Sequence, residues 1–521
     1  QGDASRMTPL TRFLHSFPAA LLGALFFVFA TPATILAQTD EGRITGIVRD
    51  SSGAVVPGVA IVLRNDNTGD MRETVSAGDG RDVFLAPKPA HYSLKAQLSG
   101  FATAEFKAQK VSAGQELPLD IALKAANLSE TVEVTAEATA IDLSSARNGA
   151  NVNEREVAQL PINGRQLSQL YLQAPGAVNT GTGTFGDIRF SGRAVQQNVI
   201  RYDGIEGSAI IDASPGNLNG EIPSPFRLQA SLENVQEFRV DSNNYPAEYG
   251  TGTGGQVTVI TKSGTNNFHG AVFEYFRDDA LDSANAFDPI VNGKPVKSAL
   301  RQHQFGASFG GPLVKDRAFF HISYEGYRLD SGINFVEAVP SAAARARAVP
   351  SILPLLDAFK SPNAIILSGA SANPDFDIAQ LQSVANVTEN SFAGRLDVRI
   401  NNNHRFYARY FNDKGENDQP EGVTGRRVLI TSKPQNAVLA LQSNLGPRTM
   451  NEFKIGYNRA DTNVQGVAPT VNGIDLSAIT INITGSVANN GIVGQGSSSG
   501  TAVPGGLVRQ NSATNGRGAP Y

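Results

Sequence analysis

Apolar and polar residues alternate along much of this chain in a two-residue rhythm, the period of a β-strand whose two faces meet different surroundings. The rhythm begins with RITGIVRD (43–50), VAIVLRN (59–65), ETVSA (73–77), YSLKAQL (92–98) and LPLDIALK (117–124), separated by SSGAVVPG, DNTGD, GDG and SAGQ. In the last run Leu119, Ile121 and Leu123 share one face while Asp120 and Lys124 take the other. Short strands broken by glycine- and aspartate-rich turns predict a small antiparallel β-sandwich over 40–124.

SETVEVTAEA (129–138) alternates threonine and valine with little to bury. It suits one more sandwich strand, or an extended segment that a partner captures through main-chain hydrogen bonds at a sheet edge. Residues 141–262 then break into short pieces. Asn163-Gly164 marks a tight turn, and NVIRYDG is a strand closed by Asp203-Gly204. VQEFRV (235–240) sets Val235, Glu237 and Arg239 against Gln236, Phe238 and Val240, so one face is polar. A compact mixed α/β domain is expected.

From 263 to 521 the alternation returns with charges on one face. Phe392, Gly394, Leu396, Val398 and Ile400 oppose Ala393, Arg395, Asp397 and Arg399. Ala318, Phe320, Ile322 and Tyr324 oppose Phe319, His321, Ser323 and Glu325, and Phe453, Ile455 and Tyr457 oppose Glu452, Lys454 and Asn458. Apolar-out, charged-in strands mark a membrane barrel with a polar lumen, although a half-exposed soluble sheet has the same period. Connection lengths favour the barrel. Strands are predicted near 266–277, 301–310, 317–328, 391–401, 404–412, 436–445 and 449–459. Long connections, among them 329–390 and 413–434, alternate with the short GPLVKD, NN and GPR. Outer-membrane barrels have this asymmetry of short periplasmic turns and long extracellular loops.

Composition changes the picture mainly at the N-terminus. Residue 1 is Gln; Met7 and Arg12 precede the apolar run AALLGALFFVFA (19–30). That run suits the core of an export signal over 7–37, and is short of the ~20 residues of a membrane-crossing helix. Cleavage is expected after Ala37, leaving Gln38 first. No later stretch is apolar enough to cross as a helix, so any spanning must be done by a barrel. The net charge of −4 offers no broad case for nucleic acid. Cysteine is absent, which excludes thiol nucleophiles, thiolate metal sites and disulfides. Tryptophan is absent too, so 12 Tyr and 27 Phe must supply any interfacial rings.

Candidate chemistry is sparse. His15, His91, His269, His303, His321 and His404 form no H-E-x-x-H motif or close ligand pair, so no metal site is expected. Gly250, Gly252 and Gly255 have dinucleotide-loop spacing, but the strand-like QVTVITK follows instead of a helix. These glycines are expected to let the chain pass closely between the central domain and a barrel wall. Gly496-Ser497-Ser498-Ser499-Gly500 matches G-x-S-x-G without the strand–turn–helix context of a nucleophile elbow. No catalytic residue, cofactor or enzyme activity is expected.

Longer motifs carry two resemblances. GRITGIVRDSSGAVVPGVAIVLRN, VSAGDGRDVF and HYSLKAQLSGF are similar to the carboxypeptidase-regulatory-like β-sandwich, a module that is not a peptidase. Asp82 stands where that family prefers an aromatic, and Ala90-His91 replace its Gly-Thr turn, so the loop at 86–91 is expected to be distorted. VAQLPINGRQLSQLYLQAPGA (157–177), FSGRAVQQNVIRYDGIEGS (190–208) and LENVQEFRVDSNNYPAEYGTGTGGQVTVITKSGTNNFHG (232–270) resemble the plug of Oar-like TonB-dependent outer-membrane receptors. With the sandwich and first barrel strands, the resemblance covers roughly residues 42–460.

It implies a mainly β protein: a small β-sandwich, then an α/β plug over 141–262, then the first strands of an incomplete transmembrane β-barrel over 263–521. The linker 125–140 would hold a TonB-box-like strand formed by Thr131, Val132, Glu133, Val134 and Thr135. The implied partners are a TonB-type periplasmic energy-coupling protein, outer-membrane lipid and a bulky extracellular ligand such as a glycan, peptide or metal chelate. The sandwich would lie in the periplasm. Seven strands fall short of the about 22 that such receptors close around a plug, so the chain is expected to be the N-terminal part of a longer receptor. The alternative is a surface carbohydrate-binding or adhesion protein without transport.

Overall fold

A computed structural model describes residues 41–475 apart from 86, 126–130, 134–146, 161, 163–164, 166, 180–187, 195–196, 208–229, 246–248, 250–251, 285–289, 292, 296, 361–362, 369–372, 423, 447–448, 460 and 468. The export-signal expectation at 7–37 lies outside the described residues, as does the Gly/Ser tract at 496–500.

The first domain is a two-sheet sandwich. Its strands are β1 (Arg43–Asp50), β2 (Ala60–Asn65), β3 (Met71–Val75), β4 (Arg81–Leu85), β5 (Ala90–Gln97), β6 (Thr103–Val111), β7 (Glu116–Pro118), β8 (Ile121–Leu123) and β9 (Thr131–Glu133). One sheet runs β4-β1-β7 with β8 also on β1, and the other runs β3-β2-β5-β6-β9. The sheets close on Ile44, Val48, Ile61, Leu63, Leu94, Phe106, Leu117, Ile121 and Leu123. The predicted all-antiparallel arrangement needs correction, because β7 and β8 pair parallel with β1 and β9 pairs parallel with β6. The predicted strand 117–124 is broken after Pro118, which lacks an N–H for the ladder. Its alternation survives the break: Leu117, Leu119, Ile121 and Leu123 are all buried.

The distortion expected near 86–91 does not reach β5, which pairs with β6 from Ala90 onward. The departure from the family pattern is felt at Asp82, whose two carboxylate oxygens are buried without a hydrogen-bond partner. Burial, with a smaller contribution from Asp120, pushes this carboxyl up to about 6.

The central domain holds β10 (Asn148–Val152), α1 (Glu154–Gln159), a 3-10 turn at Leu167–Gln173, β11 (Ala177–Asn179), β12 (Ile188–Phe190), β13 (Val199–Tyr202), β14 (Ile205–Glu206), β15 (Val235–Asn243) and β16 (Gln256–Thr261). α1 opens on a capping box, Asn153 accepting from its first-turn N–H groups while Glu156 reaches back to the Asn153 N–H. The main sheet is mixed, in the order β10-β15-β16-β13-β14, with β13 and β16 parallel. The polar face expected on 235–240 does not meet water. Glu237, from that face, accepts the Ala113 N–H at 2.7 Å, and Gln236, from the opposite set, donates to the Pro89 carbonyl at 2.7 Å, so polar groups of both sets dock the sandwich.

One large antiparallel sheet follows: β17 (His269–Asp278), a hairpin of β18 (Ile290–Val291) and β19 (Lys294–Pro295), β20 (Leu300–Val314), β21 (Ala318–Pro340), β22 (Ile365–Leu367), β23 (Phe376–Arg399), β24 (His404–Glu421), β25 (Arg426–Ser432), β26 (Gln435–Gly446), β27 (Thr449–Arg459) and β28 (Thr462–Val467). A last small hairpin joins β29 (Thr470–Val471) to β30 (Ile474–Asp475). β24 pairs with β26 along its first half and with β25 along its second. β25 and β26 are thus one strand interrupted at Pro434, and β27 and β28 continue one another in the same way. Counted so, the seven predicted strands are all present. Two predicted loops need correction: 413–434 is largely strand, and 329–390 is strand at both ends, through Pro340 and again from Phe376. β21 and β23 extend to 23 and 24 residues; α2 (Ala342–Arg347) follows β21, and Leu355 of α3 (Leu353–Leu356) packs with Ala358 and Phe359 against Phe335, Val339, Ala379 and Leu381 at their far ends. Among the described residues the sheet does not close on itself.

Burial decides which kind of sheet this is. A soluble sheet hides its apolar face. Here Val272, Ile322, Leu439, Phe453 and Ile455 are exposed, and His321, Ser323, Glu325, Arg395 and Arg409 are buried. An exposed apolar face of this extent belongs in lipid. It is rimmed by rings: Phe268, Phe309 and Phe320 cluster toward the short-turn end, while Tyr324, Phe392, Tyr410 and Tyr457 lie farther along.

Candidate functional site: a charged seam between three domains

Asp203 sits in the turn between β13 and β14 at φ 49°, followed by Gly204 at φ 84°. The sequence marks it as a turn residue, and the turn aims its carboxylate at the barrel wall. Its Oδ1 lies 3.2 Å from Arg395 Nη1 on β23, and its Oδ2 lies 3.0 Å from Arg409 Nε on β24. Thr261, ending β16, donates its backbone N–H at 3.0 Å and its hydroxyl at 2.8 Å to the same carboxylate. Burial opposes the charge on Asp203, but Arg395, Arg409 and the Thr261 bonds outweigh it and hold the carboxyl below its ordinary value. The guanidiniums are saturated in turn. Arg409 donates to the Tyr202 carbonyl at 3.0 Å and to Asn436 Oδ1 at 2.6 Å, and Arg395 donates to the Thr261 carbonyl at 3.0 Å.

The seam continues into the sandwich. Arg395 bridges to Asp397 at 2.8 Å, and Asp397 receives Lys88 Nζ at 2.7 Å. Both Arg395 and Lys88 stack on the Tyr407 ring, each 4.6 Å from its centroid. Beside them Arg405 grips Asp70 of the β2–β3 turn through bonds of 2.7 and 2.9 Å. Opposite charges therefore run Arg409–Asp203–Arg395–Asp397–Lys88, joining wall, central domain and sandwich. Breaking one member of such a buried series leaves uncompensated charge, a cost of about 3–5 kcal/mol.

A second contact fixes the central domain to the first strand of the wall. Arg165 adopts φ 50° beside the expected Asn163-Gly164 turn, which itself lies outside the described residues. Its guanidinium packs over Phe273 and Tyr275, bonds the Tyr275 hydroxyl at 3.0 Å and pairs with Glu233 at 2.9 Å.

The other candidates resolve as follows. Thr131, Val132 and Glu133 form β9, in register with Thr103, Ala104 and Glu105, while Val134 and Thr135 lie outside the described residues. Gly252 has φ 71°, and a Cβ on Gly255 would run into the Phe190 ring. Those glycines allow close packing inside the central domain against β12 and β13, not the expected passage along the wall. Gly250 lies outside the described residues, and the strand β16 follows the motif. His269 and His321 stack at 6.4 Å, but no group of three potential ligands surrounds them or any other point among the described residues. Thr261, Arg409 and Lys88 were not singled out from the sequence, and Asp203 was read only as a turn residue. The inward parity of Arg395 and the positive-φ signature of Asp203-Gly204 were the available signals.

Comparisons with known proteins agree with this architecture. Residues 260–519 match the family described as Outer membrane beta barrel domain, and residues 43–124 match the Carboxypeptidase regulatory-like domain. The TonB-dependent transporter Oar of Myxococcus xanthus is 24% identical over 305 residues, covering 55% of this chain and 27% of the transporter. The chain thus spans about a quarter of that relative's length. Among solved structures, the outer membrane transporter YddB from Escherichia coli aligns with TM-score 0.43 at 12% identity, covering 61% of this chain and 39% of that one. The siderophore receptor PiuA from Acinetobacter baumannii aligns with TM-score 0.35 at 14% identity, covering 61% and 46%. The chain therefore joins a carboxypeptidase regulatory-like domain to an outer membrane β-barrel domain and is a homologue of the TonB-dependent transporter Oar.

Proposed function

We propose that this chain is part of a TonB-dependent outer-membrane receptor that admits a bulky extracellular ligand and catalyses no reaction. The observation that carries the reading is Asp203, bonded through its two carboxylate oxygens to arginines on adjacent strands of the wall's inward face. A domain held there by a buried charge series acts as a plug over 141–262. It closes the lumen until the series is broken. The energy for breaking it comes from a TonB-type periplasmic protein that takes up the strand Thr131, Val132, Glu133, Val134 and Thr135 by main-chain pairing. The sandwich lies on the periplasmic side, at the short-turn end of the wall. The ligand class stays broad: a glycan, a peptide or a metal chelate.

The absence of cysteine makes the test clean. Val132→Cys and Val134→Cys should each cross-link to a cysteine-bearing TonB C-terminal domain in cells, while Val62→Cys, on β2 between β3 and β5, should not. Equal labelling at all three positions, or none at 132 and 134, overturns the coupling role assigned to this strand.

A further inference from the structure

At the short-turn end a cavity of about 420 Å³ lies between sandwich, central domain and wall. Its charges are unbalanced. Asp397 is answered by Lys88 and Arg395, and Lys262 stands 3.3 Å from Glu154. Asp70 faces three guanidiniums: Arg405 in a two-bond grip, Arg399 at 3.9 Å and Arg72 at 4.0 Å, with Glu41 a second carboxyl acting on Arg72 only. Arg72 turns hydrogen bonds toward the Leu85 carbonyl at 2.8 Å and Gln442 Oε1 at 2.9 Å. Arg399 lines the cavity and donates no side-chain hydrogen bond among the described residues. Burial, and after it the neighbouring Arg405, pull the Arg72 guanidinium down against the opposing pull of Glu41 and Asp70. Phe319 and Phe406 give part of the same cavity apolar walls.

We propose that this cavity binds the phosphate group of a ligand between Arg399, Arg405 and Arg72, with Asp70 as the internal anion that holds the arginines together when the site is empty. Arg405 Nη1 is buried without a hydrogen-bond partner and Arg399 makes only its long contact with Asp70, so these two planar guanidiniums have donor capacity left over, and their forked geometry suits a second set of oxygens. The apolar walls leave room for a carbon skeleton beside the anion. A free phosphate compound and a phospholipid headgroup share this chemistry. The inference does not depend on transport, because it concerns an anion held at the docking surface of the sandwich.

The test is calorimetric titration of the purified chain, in phosphate-free detergent, with inorganic phosphate and separately with dihexanoyl phosphatidylglycerol below its micelle concentration. Saturable binding is expected. Arg399→Gln should weaken it about tenfold, as loss of a charge-assisted contact does. Asp70→Asn should strengthen it, because the competing carboxylate is gone. Comparable affinity for both probes assigns a soluble phosphate, and clearly tighter binding of the lipid assigns a headgroup. Arg399 makes only a long contact, so its variant should keep the native fold, checked by an unchanged melting temperature. Absence of saturable binding by either probe overturns the proposal. So does an affinity that neither substitution moves.

Discussion

Two buried aspartates show how one residue type serves opposite ends. Asp203 is matched on every side, and Asp82 is matched by nothing. In Asp203→Asn, Arg395 and Arg409 lose their shared counter-charge. We expect the central domain to lose about 3–5 kcal/mol of its attachment to the wall, read as earlier release of that domain in urea, with the barrel transition little changed. Asp82 should behave in the reverse sense. Its folded value of about 6 lies above the ordinary 3.8, so folding favours the protonated form. Stability linked to it is complete below pH ~4, falls as pH rises toward 6, and is level above that, a total of up to about 3 kcal/mol. Asp82→Asn should abolish this slope and stabilise the sandwich at neutral pH. Hydrogen exchange of β1 amides in the intact chain, followed from pH 4 to 7, would decide it; a wild-type slope of opposite sign would refute the assignment.

At the scale of elements, period-two alternation was legible wherever a strand separated lipid from a polar interior, and faded where that demand ended. Residues 318–326 and 391–400 read clearly as strands because Ile322, Tyr324 and Phe392 must face outward while Ser323, Glu325 and Arg395 face in. The continuations to Pro340 and from Phe376 were read as loop because sequence there mixes polar and apolar residues on both faces, with Asn334, Gln380 and Gln382 among them. In the sandwich, β4 was hidden because Asp82 occupies a buried position. β6 was hidden because Ala108, at φ 52°, shifts the register, so that Ala104 and Phe106 are buried before it and Gln109 and Val111 after it. The charged seam was illegible for another reason. Asp203 meets partners 192 and 206 residues away, a distance no local period can encode. Thr261→Val tests this element junction more gently: it removes the bond the hydroxyl donates to Asp203 and the one it accepts from Arg395, each 2.8 Å, and should cost about 2 kcal/mol, less than removal of Asp203.

For the molecule as a whole, the inverted burial of the sheet makes its solvent part of the fold. Ile455 lies midway along the outward row Phe453–Ile455–Tyr457. Ile455→Lys should destabilise insertion into phospholipid vesicles by about 2–4 kcal/mol, measured by urea titration of the inserted chain, and an effect near zero would argue that this face does not meet hydrocarbon. The 23 residues of β21 carry a further consequence for what the cell surface presents. At ~3.3 Å per residue and a tilt near 40°, such a strand rises roughly 60 Å, against an apolar band of only ~25 Å. Roughly 30 Å is left over, and the small capped core around Phe335 and Phe359 sits on that overhang. That core is thus carried clear of the hydrocarbon, on a stretch of wall that must hold itself together by its own packing.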